Sequence, residues 1–189
     1  WVIDHALAEY PQLVRLFGEQ VILAINVSSA QLADDRICRY LAERAAHHGV
    51  APGRIEIELT ETYAAELNKD TMAVVQAISR AGFRVAIDDF GVGYSSMVQL
   101  ARLPFSELKL DKAFVAAAGH SREARTIIRS AVDLGHQLDL KVIGEGVESG
   151  EALAFLSEVG CDFVQGYYIA RPMGKEAIGG WLDGRGGAG

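Results

Sequence analysis

The sequence has few cysteines, few histidines and no excess of positive charge. Its 189 residues include two cysteines, five histidines and 18 Lys or Arg residues against 25 Asp or Glu residues, which gives a formal net charge of −7. We expect Cys38 and Cys161 to be reduced core thiols, because two cysteines are too few for a disulfide framework. No His or Cys pair has the spacing of a zinc site. The acidic balance disfavours a nucleic-acid groove or a basic membrane-binding face.

Long hydrophobic runs are also absent: none approaches the ~18 residues that a membrane-spanning helix needs. The sequence begins at Trp1, inside a helical pattern, and has no signal-peptide layout. We therefore expect a cytoplasmic domain whose natural start lies upstream, in a parent protein that another segment could anchor to a membrane. Half of the residues are hydrophobic, which is enough for one domain with a sizeable core. We assign residues 1–183 to this domain and the Gly-rich residues 184–189 to a disordered tail.

One pattern repeats along the chain: a short apolar strand, a turn and an amphipathic helix. Strands are predicted at residues 21–27, 54–59, 84–88, 107–110, 141–145 and 162–166. Helices are predicted at residues 2–17, 31–48, 64–81, 95–102, 122–138, 151–159 and 175–182. Alternating elements predict parallel strands covered by helices, either an open doubly wound sheet or a closed (β/α)₈ barrel with six of its eight strands present. No Gly-x-Gly-x-x-Gly fingerprint follows the first strand, which favours the barrel.

A polar or charged side chain ends or follows every predicted strand. In strand order these residues are Asn26, Glu58 with Glu61, Asp88 with Asp89, Lys109 with Asp111, Glu145 with Glu148, and Gln165. Acidic residues after strands are common helix N-caps, so each one alone indicates little. Six strands out of six are harder to explain by capping. The carboxyl-terminal rim of a barrel is where active sites are built, so the pattern indicates a site there.

The carboxylates at this rim predict binding of divalent cations. Burying four of them around one lysine is unfavourable unless cations neutralise the charge, and all-oxygen ligands suit Mg²⁺ or Mn²⁺. Asp88 and Asp89 can both reach one site if the strand ends there, and the glycines of residues 90–93 provide that break. One aspartate can then bridge two ions, the usual arrangement for attack of water on a phosphodiester. Lys109 can orient the water or stabilise charge on the phosphate.

The same residues and spacings resemble the EAL domain family, the cyclic di-GMP-specific phosphodiesterases of bacterial signalling. The resemblance covers essentially the whole chain. It rests on residues 26–28 (Asn-Val-Ser), 58–61 (Glu-Leu-Thr-Glu), 88–96 (Asp-Asp-Phe-Gly-Val-Gly-Tyr-Ser-Ser), 108–111 (Leu-Lys-Leu-Asp), 145–148 (Glu-Gly-Val-Glu) and 165–167 (Gln-Gly-Tyr). Val92 stands where the family usually has Thr. The family's Glu-Ala-Leu motif, whose glutamate is a metal ligand, belongs upstream of the leading helix and is missing here.

The resemblance implies a TIM-like (β/α)₈ barrel in which one early strand is antiparallel, with two bound Mg²⁺ or Mn²⁺ ions. It implies that the metal ligands include Asn26, Glu58, Asp88 and Asp89. Lys109 would position the attacking water, and Glu145 would assist at the metal, so that the catalytic set is Lys109, Glu145 and Asp89. We expect Gln165 and Asp111 to bind substrate or water. Glu61 would anchor the loop that begins at Asp88.

The implied function is metal-dependent hydrolysis of cyclic di-GMP to linear pGpG, in signalling linked to biofilms. The intact domain would be a homodimer fused to upstream sensory or GGDEF-type domains. Residues 1–189 alone are expected to be impaired, because the upstream glutamate and a nearby substrate-contacting arginine are missing. The alternatives are a catalytically silent cyclic di-GMP receptor or interaction scaffold, and an unrelated metal-dependent barrel lyase. Degenerate receptors usually lose the paired aspartates, the lysine or the loop glutamate, and all of these are present.

Overall fold

A parallel sheet of six strands forms the centre of the protein, for which a computed structural model describes residues 1–34, 36–93 and 97–185. The strands are Leu23–Asn26 (β1), Ile55–Thr60 (β2), Arg84–Phe90 (β3), Glu107–Leu110 (β4), Lys141–Gly144 (β5) and Phe163–Val164 (β6). Each strand pairs in parallel with the next one along the chain. A doubly wound sheet would reverse its strand order at one point. This sheet keeps one direction throughout and forms a half-barrel, which confirms the barrel prediction.

Helices connect the strands in the described part of the chain. Together with one 3₁₀ turn at Pro52–Arg54, they are Val2–Phe17 (α1), Ser29–Leu32 (α2), Ile37–His48 (α3), Glu61–Glu66 (α4), Lys69–Arg80 (α5), Met97–Arg102 (α6), Lys112–Ala117 (α7), Arg122–Gln137 (α8), Gly150–Glu158 (α9) and Lys175–Arg185 (α10). Right-handed crossovers that always advance in one direction leave their helices on one side of the sheet. The opposite face is the inside of the half-barrel. The antiparallel strand that the resemblance implies is not among the described strands.

The hydrophobic core lies between the outer face of the sheet and the helices. On β2, Ile55, Ile57 and Leu59 are almost completely buried. The residues that alternate with them, Glu56 and Glu58, are also buried but lie on the inner face, since successive side chains of a strand point to opposite sides. The inner face of β2 is therefore polar at positions where an ordinary core would be apolar.

Two predicted helices are each divided in two. The pattern over residues 31–48 predicted one helix, but α2 ends before Asp34, whose side chain accepts a hydrogen bond from the backbone N–H of Arg36. Within the predicted helix over residues 64–81, the side chain of Asn68 accepts hydrogen bonds from two backbone N–H groups in the first turn of α5. The Asn68 cap starts a new helix, and the local hydrogen bond of Asp34 competes with helical backbone bonding between α2 and α3, so both single-helix predictions were wrong.

Three smaller expectations concern the thiols, the tail and the membrane. Cys38 and Cys161 are free and pack, partly buried, against the core. The last helix, α10, runs through Arg185 and so includes the first two residues of the predicted tail, and residues 186–189 lie outside the described part. Among the described helices, none is both long and apolar enough to cross a membrane.

Candidate active site

The carboxyl ends of the strands meet at one rim of the half-barrel, and the predicted polar residues meet there too. Asn26 is the last residue of β1, and Glu58 and Lys109 lie near the ends of β2 and β4. Glu145 directly follows β5, and Gln165 directly follows β6. Because all of the strands are parallel and adjacent, their ends deliver one side chain each to a shared space.

Lys109 is at the centre of this arrangement. Its ammonium Nζ lies 2.6 Å from Oε1 of Glu58, 2.7 Å from Oε1 of Glu145 and 3.2 Å from Oδ1 of Asp88. All four side chains are at most 16% exposed. To reach β2 from β4, the lysine crosses β3, where the residue paired with Glu58 is the small Ala86. One cation therefore neutralises part of the charge of three buried carboxylates.

Asn26 joins the group from β1. Its side-chain amide nitrogen donates a 2.8 Å hydrogen bond to Oε2 of Glu58, whose other oxygen accepts from Lys109. Because the amide nitrogen makes this bond, the amide oxygen is the atom of Asn26 that can act as a metal ligand. The bond also ties β1 to β2 at the rim, next to the lysine.

Asp88 and Asp89 reach the site through an irregularity in β3. We predicted that the strand ends at Asp88 and that the glycines after it provide the break, but β3 continues and pairs with β4 again at Phe90. The register shifts between Ile87 and Phe90, and Asp89 has a left-handed backbone with φ of 54°. A bulge of this kind re-aims a side chain, so two successive carboxylates face one space. The predicted position of the break was wrong: the chain turns at Asp89 itself.

Asp88, Asp89 and Glu145 form a group that fits a divalent cation. One carboxylate oxygen from each lies within 4.8 Å of the others. Oδ1 of Asp88 is buried and accepts no hydrogen bond from any residue in the described ranges, although Nζ of Lys109 is 3.2 Å away. A buried carboxylate oxygen without a hydrogen bond is costly, so this atom fits a metal ligand. The all-oxygen donors fit Mg²⁺ or Mn²⁺.

Burial and neighbouring charges shift the pKa values of the side chains at this site. Burial raises the pKa of Glu145; Lys109 opposes the rise, and the charges of two neighbouring carboxylates add to it. Burial also raises the pKa of Asp89, and the charges of its aspartate neighbours raise it further. Burial alone would lower the pKa of Lys109, but its hydrogen bonds to Glu145 and Glu58 outweigh burial and hold the pKa above its ordinary value. Lys109 is therefore charged at neutral pH.

Asp111 lies against the paired aspartates. Its Oδ1 accepts a 2.8 Å hydrogen bond from the backbone N–H of Ala113 and so caps α7, a helix that the sequence pattern did not predict. The negative charge of Asp111 also contributes to the raised pKa of Asp89. The expected contact of Asp111 with substrate or water remains a prediction.

Glu61 begins α4 and is buried beside the loop that follows β3. Its Oε2 accepts hydrogen bonds from the backbone N–H groups of Gly91, at 2.9 Å, and Gly93, at 2.7 Å. Both bonds hold the loop close to the paired aspartates. Val92 between them is exposed. The remainder of the predicted motif, residues 94–96, lies outside the described residues, and the loop-anchoring role stays a prediction.

A cavity of about 240 Å³ opens beside the carboxylates, and Gln165 lies in its wall together with Lys112 and Tyr167. Neither Lys112 nor Tyr167 is among the site residues predicted from the sequence. Tyr167 is about half exposed, and the guanidinium of Arg171 stacks over its ring at 4.7 Å from the centroid. The signal was present: Lys112 directly follows Asp111, and Tyr167 belongs to the Gln-Gly-Tyr stretch at the end of β6.

Comparisons with known proteins agree with this geometry. The EAL domain model matches residues 1–172. The cyclic di-GMP phosphodiesterase PdeR of Escherichia coli is 37% identical over 181 residues, which cover 96% of this chain and 27% of PdeR. The phosphodiesterase MucR of Pseudomonas aeruginosa, solved as a c-di-GMP complex, has a TM-score of 0.89 and 32% identity, over 94% of this chain and 72% of that one. BlrP1 of Klebsiella pneumoniae, solved with manganese and cy-diGMP, has a TM-score of 0.82 and 31% identity. The match covers 89% of this chain and 43% of that one.

The family model matches most of this chain, but the chain corresponds to only part of each longer relative. The chain spans about a quarter of the length of the curated relatives that it resembles. Within that span, the similarity covers the strands that carry the rim and the residues at its centre. This chain belongs to the EAL domain family.

Proposed function

We propose that this domain hydrolyses one phosphodiester bond of cyclic di-GMP and releases linear pGpG, with two divalent ions, Mg²⁺ or Mn²⁺, as cofactors. The observation that carries the proposal is the group of Glu58, Asp88 and Glu145 around Lys109 at the rim of an EAL-family half-barrel. The name of PdeR and the titles of the MucR and BlrP1 complexes support this substrate.

The ions would be held by the oxygens of Asn26, Glu58, Asp88 and Asp89, with Glu145 beside them. When bound, divalent ions lower the pKa of a water molecule and neutralise charge on the phosphate. The chain supplies a surplus of carboxylates for this purpose, because three of them share the single charge of Lys109. The unbonded Oδ1 of Asp88 supports the same assignment.

Lys109 and Glu145 divide the proton chemistry. Because its pKa is held above the ordinary value, Lys109 keeps its proton and can donate a hydrogen bond, but it cannot act as a base. Its role is to orient the attacking water or a phosphate oxygen. Glu145 has a raised pKa, which makes it a better proton acceptor for that water than an ordinary carboxylate. Gln165 and Asp111 would hold water or substrate at the edges of the site.

Lys112 supports an anionic substrate, since it adds a second cation to the wall of the cavity that contains Gln165. Homodimerisation, fusion to sensory or GGDEF-type domains, and a cytoplasmic location are further parts of the proposal. The greater length of the curated relatives supports the fusion. Light scattering of the full-length protein would test the dimer.

Chromatography of the reaction products tests the activity in the full-length protein. We expect cyclic di-GMP to be converted to linear pGpG with Mn²⁺ or Mg²⁺ and to remain intact after the metal is removed with EDTA. Asp88→Asn should be inactive, whereas Asp133→Asn, on the exposed side of α8, should match the wild type. Tight binding of cyclic di-GMP by calorimetry without any turnover would contradict the proposal and favour the receptor alternative.

A further inference from the structure

Three charged side chains lie on the inner face of the half-barrel, below the rim. Arg84 is the first residue of β3, Glu107 is the first residue of β4, and Glu56 is the second residue of β2. Nε of Arg84 lies 3.4 Å from Oε2 of Glu56, and its terminal nitrogen pairs with Oε1 of Glu107. We refer to these three residues as the lower triad. No step of the proposed hydrolysis uses them.

The burial of the two glutamates in the lower triad favours an arginine as their partner. The side chains of Glu56 and Glu107 are 4% and 5% exposed, so both carboxylates have left water. Such carboxylates are strongly unfavourable unless a cation pairs with them. The planar guanidinium presents several donors in a fixed fork and binds two carboxylates at once, which a lysine ammonium does with less geometric control. Arg84 therefore joins β2 to β4 across β3.

The lower triad lies directly beneath the residues at the centre of the site. Side chains two positions apart on a strand share one face and are about 6.6 Å apart along it. Glu58 is two positions after Glu56 on β2, and Lys109 is two positions after Glu107 on β4. Both levels thus bridge the same two strands, one through Arg84 and the other through the 2.6 Å bond between Lys109 and Glu58.

At the level of Lys109, β3, the strand between β2 and β4, has no large side chain that would fix their spacing. The residue of β3 that pairs with Glu58 is Ala86, whose methyl group lets Lys109 pass but fills little space. Ala86 is also completely buried. The distance between β2 and β4 at the level of Lys109 is therefore not set by a large side chain of β3.

We propose that Arg84 is a positioning residue for the active site: by pairing with Glu56 and Glu107 it fixes the spacing of β2 and β4, and thereby the contact between Glu58 and Lys109. Arg84 acts through these strands and touches neither the proposed metal ligands nor the cavity. Its expected effect on turnover rests on the proposed hydrolysis, whereas its effect on the distance between Lys109 and Glu58 does not.

Substitution of Arg84 should separate the two strands at the site. In Arg84→Gln the two buried carboxyl groups of Glu56 and Glu107 lose the guanidinium that bridges them, so this link no longer fixes the spacing of β2 and β4. We expect the distance from Nζ of Lys109 to Oε1 of Glu58 to exceed hydrogen-bond length in a crystal structure of this variant. The affinity for Mn²⁺ should fall by about tenfold or more, as for other residues that orient metal ligands. Arg84→Lys, which keeps the charge, should recover part of both.

A stability-matched control separates positioning from a general loss of folding. Ile128 is completely buried under the outer face, on α8, and Ile128→Ala should lower the melting temperature without touching the inner face. We expect Ile128→Ala to retain wild-type Mn²⁺ affinity in the full-length protein at a temperature where both variants are folded. Equal losses of Mn²⁺ affinity in the two variants would overturn the proposal. If Arg84→Gln fails to fold, the same comparison is made with Arg84→Lys.

The crystal structures decide the inference even if the hydrolysis proposal fails. A wild-type protein that binds Mn²⁺ without hydrolysing cyclic di-GMP would refute the proposed function and leave the positioning role to be judged by distance and metal affinity. An unchanged distance between Lys109 and Glu58 in the Arg84 variants would refute the positioning role, whatever the activity of the wild type.

Discussion

Lys109 and Glu58 are 51 positions apart in the chain, and a 2.6 Å hydrogen bond joins their buried side chains. The lysine ammonium bonds to Oε1 of Glu58 and lies 2.7 Å from Oε1 of Glu145 and 3.2 Å from Oδ1 of Asp88, so it is next to carboxylates that a cation would also use. Lys109 and the proposed ions therefore compete for the same carboxylates when no substrate is bound.

Lys109→Met should separate metal binding from catalysis. Removing the competing cation leaves the carboxylates in place, so Mn²⁺ should bind at least as tightly as in the wild type. Hydrolysis should fall by about a hundredfold or more, because a positioned electrostatic group is lost. Asp88→Asn should instead lose Mn²⁺ binding. Calorimetric titration with Mn²⁺ distinguishes the two, and loss of binding in Lys109→Met would contradict the assignment.

Mn²⁺ binding should weaken as the pH falls. The pKa values of Asp89 and Glu145 are raised, chiefly by burial, so both groups keep their protons to a higher pH than ordinary carboxyls. Each must lose its proton to bind a cation, and the affinity should therefore decrease as the pH falls through these raised pKa values. Glu145→Gln should show a shallower pH dependence. An affinity that stays constant between about pH 7 and pH 4 would show that neither pKa is raised.

Glu61→Ala should weaken metal binding from a distance. Without the carboxylate, the N–H groups of Gly91 and Gly93 lose their acceptor, and the loop next to Asp89 is no longer held. We expect Mn²⁺ affinity to fall by about ten- to a hundredfold, as for other residues that orient metal ligands. Glu66→Ala, at the exposed end of the same helix, is the control and should bind like the wild type. Matching affinities in the two variants would rule out an anchoring role for Glu61.

Gly166→Ala should be strongly destabilising. A methyl group at this position would overlap the backbone nitrogen and oxygen of Val147, which cannot move aside as a flexible side chain would. We expect a loss of roughly 2–3 kcal/mol in the free energy of unfolding, in the range for overpacking. Gly53→Ala, where the nearest atom would be 3.7 Å away, should change it by less than about 0.5 kcal/mol. Urea unfolding measures both, and equal effects would contradict the steric argument.

Asp162 should stabilise the protein above its ordinary pKa and not in acid. Its carboxylate accepts hydrogen bonds from Nζ of Lys141, at 2.6 Å, and from the backbone N–H of Val142, at 2.9 Å, and lies 2.9 Å from Nε2 of His136. Burial alone would raise the pKa of Asp162, but these contacts outweigh it and lower the pKa from 3.8 to about 2. The unfolded state binds its proton more readily, so this contribution is present above pH 3.8 and is lost as the pH falls through about 2.

The matching variant is Asp162→Asn. At neutral pH it should lose at most about 2 kcal/mol, less where solvent screens the exposed partners Lys141 and His136. The difference from the wild type should narrow as the pH falls below 3.8. Urea unfolding at a series of pH values measures it, and a difference that grows in acid would reverse the sign of the argument.

Much of the fold and the site could be predicted from the sequence because both follow from short-range patterns. Apolar strands that alternate with amphipathic helices predicted parallel strands covered by helices, and the lack of a dinucleotide-binding fingerprint favoured the barrel over a doubly wound sheet. The same pattern located Asn26, Glu58 and Glu145, since each lies at the point where an apolar run gives way to a polar residue. Because the ends of adjacent parallel strands meet at one rim, these positions can be placed together from the sequence alone.

What the sequence did not predict depends on a single backbone angle or on contacts between distant residues. The left-handed conformation of Asp89 has no sequence signal, and the glycines that follow it predicted the break in the strand at the wrong residues. Asp111 is both a helix cap and a neighbour of Asp89. It was interpreted as a site residue, so the helix that it caps, α7, was not predicted. Arg84 and Glu107 begin their strands, where charged residues ordinarily mark the end of a loop.

Because β6 is short, it should separate from the sheet more readily than the longer strands. β6 pairs with β5 through two residue pairs, Phe163 and Val164, whereas β2 and β3 share five. Fewer paired residues mean a lower free energy of local opening, so β6 should detach and return many times for each global unfolding event. Amide hydrogen exchange should therefore be faster at Gln165, which bonds to Gly144 across this pair, than in β2. The wall of the cavity that contains Gln165 would then open and close independently of the carboxylates around Lys109.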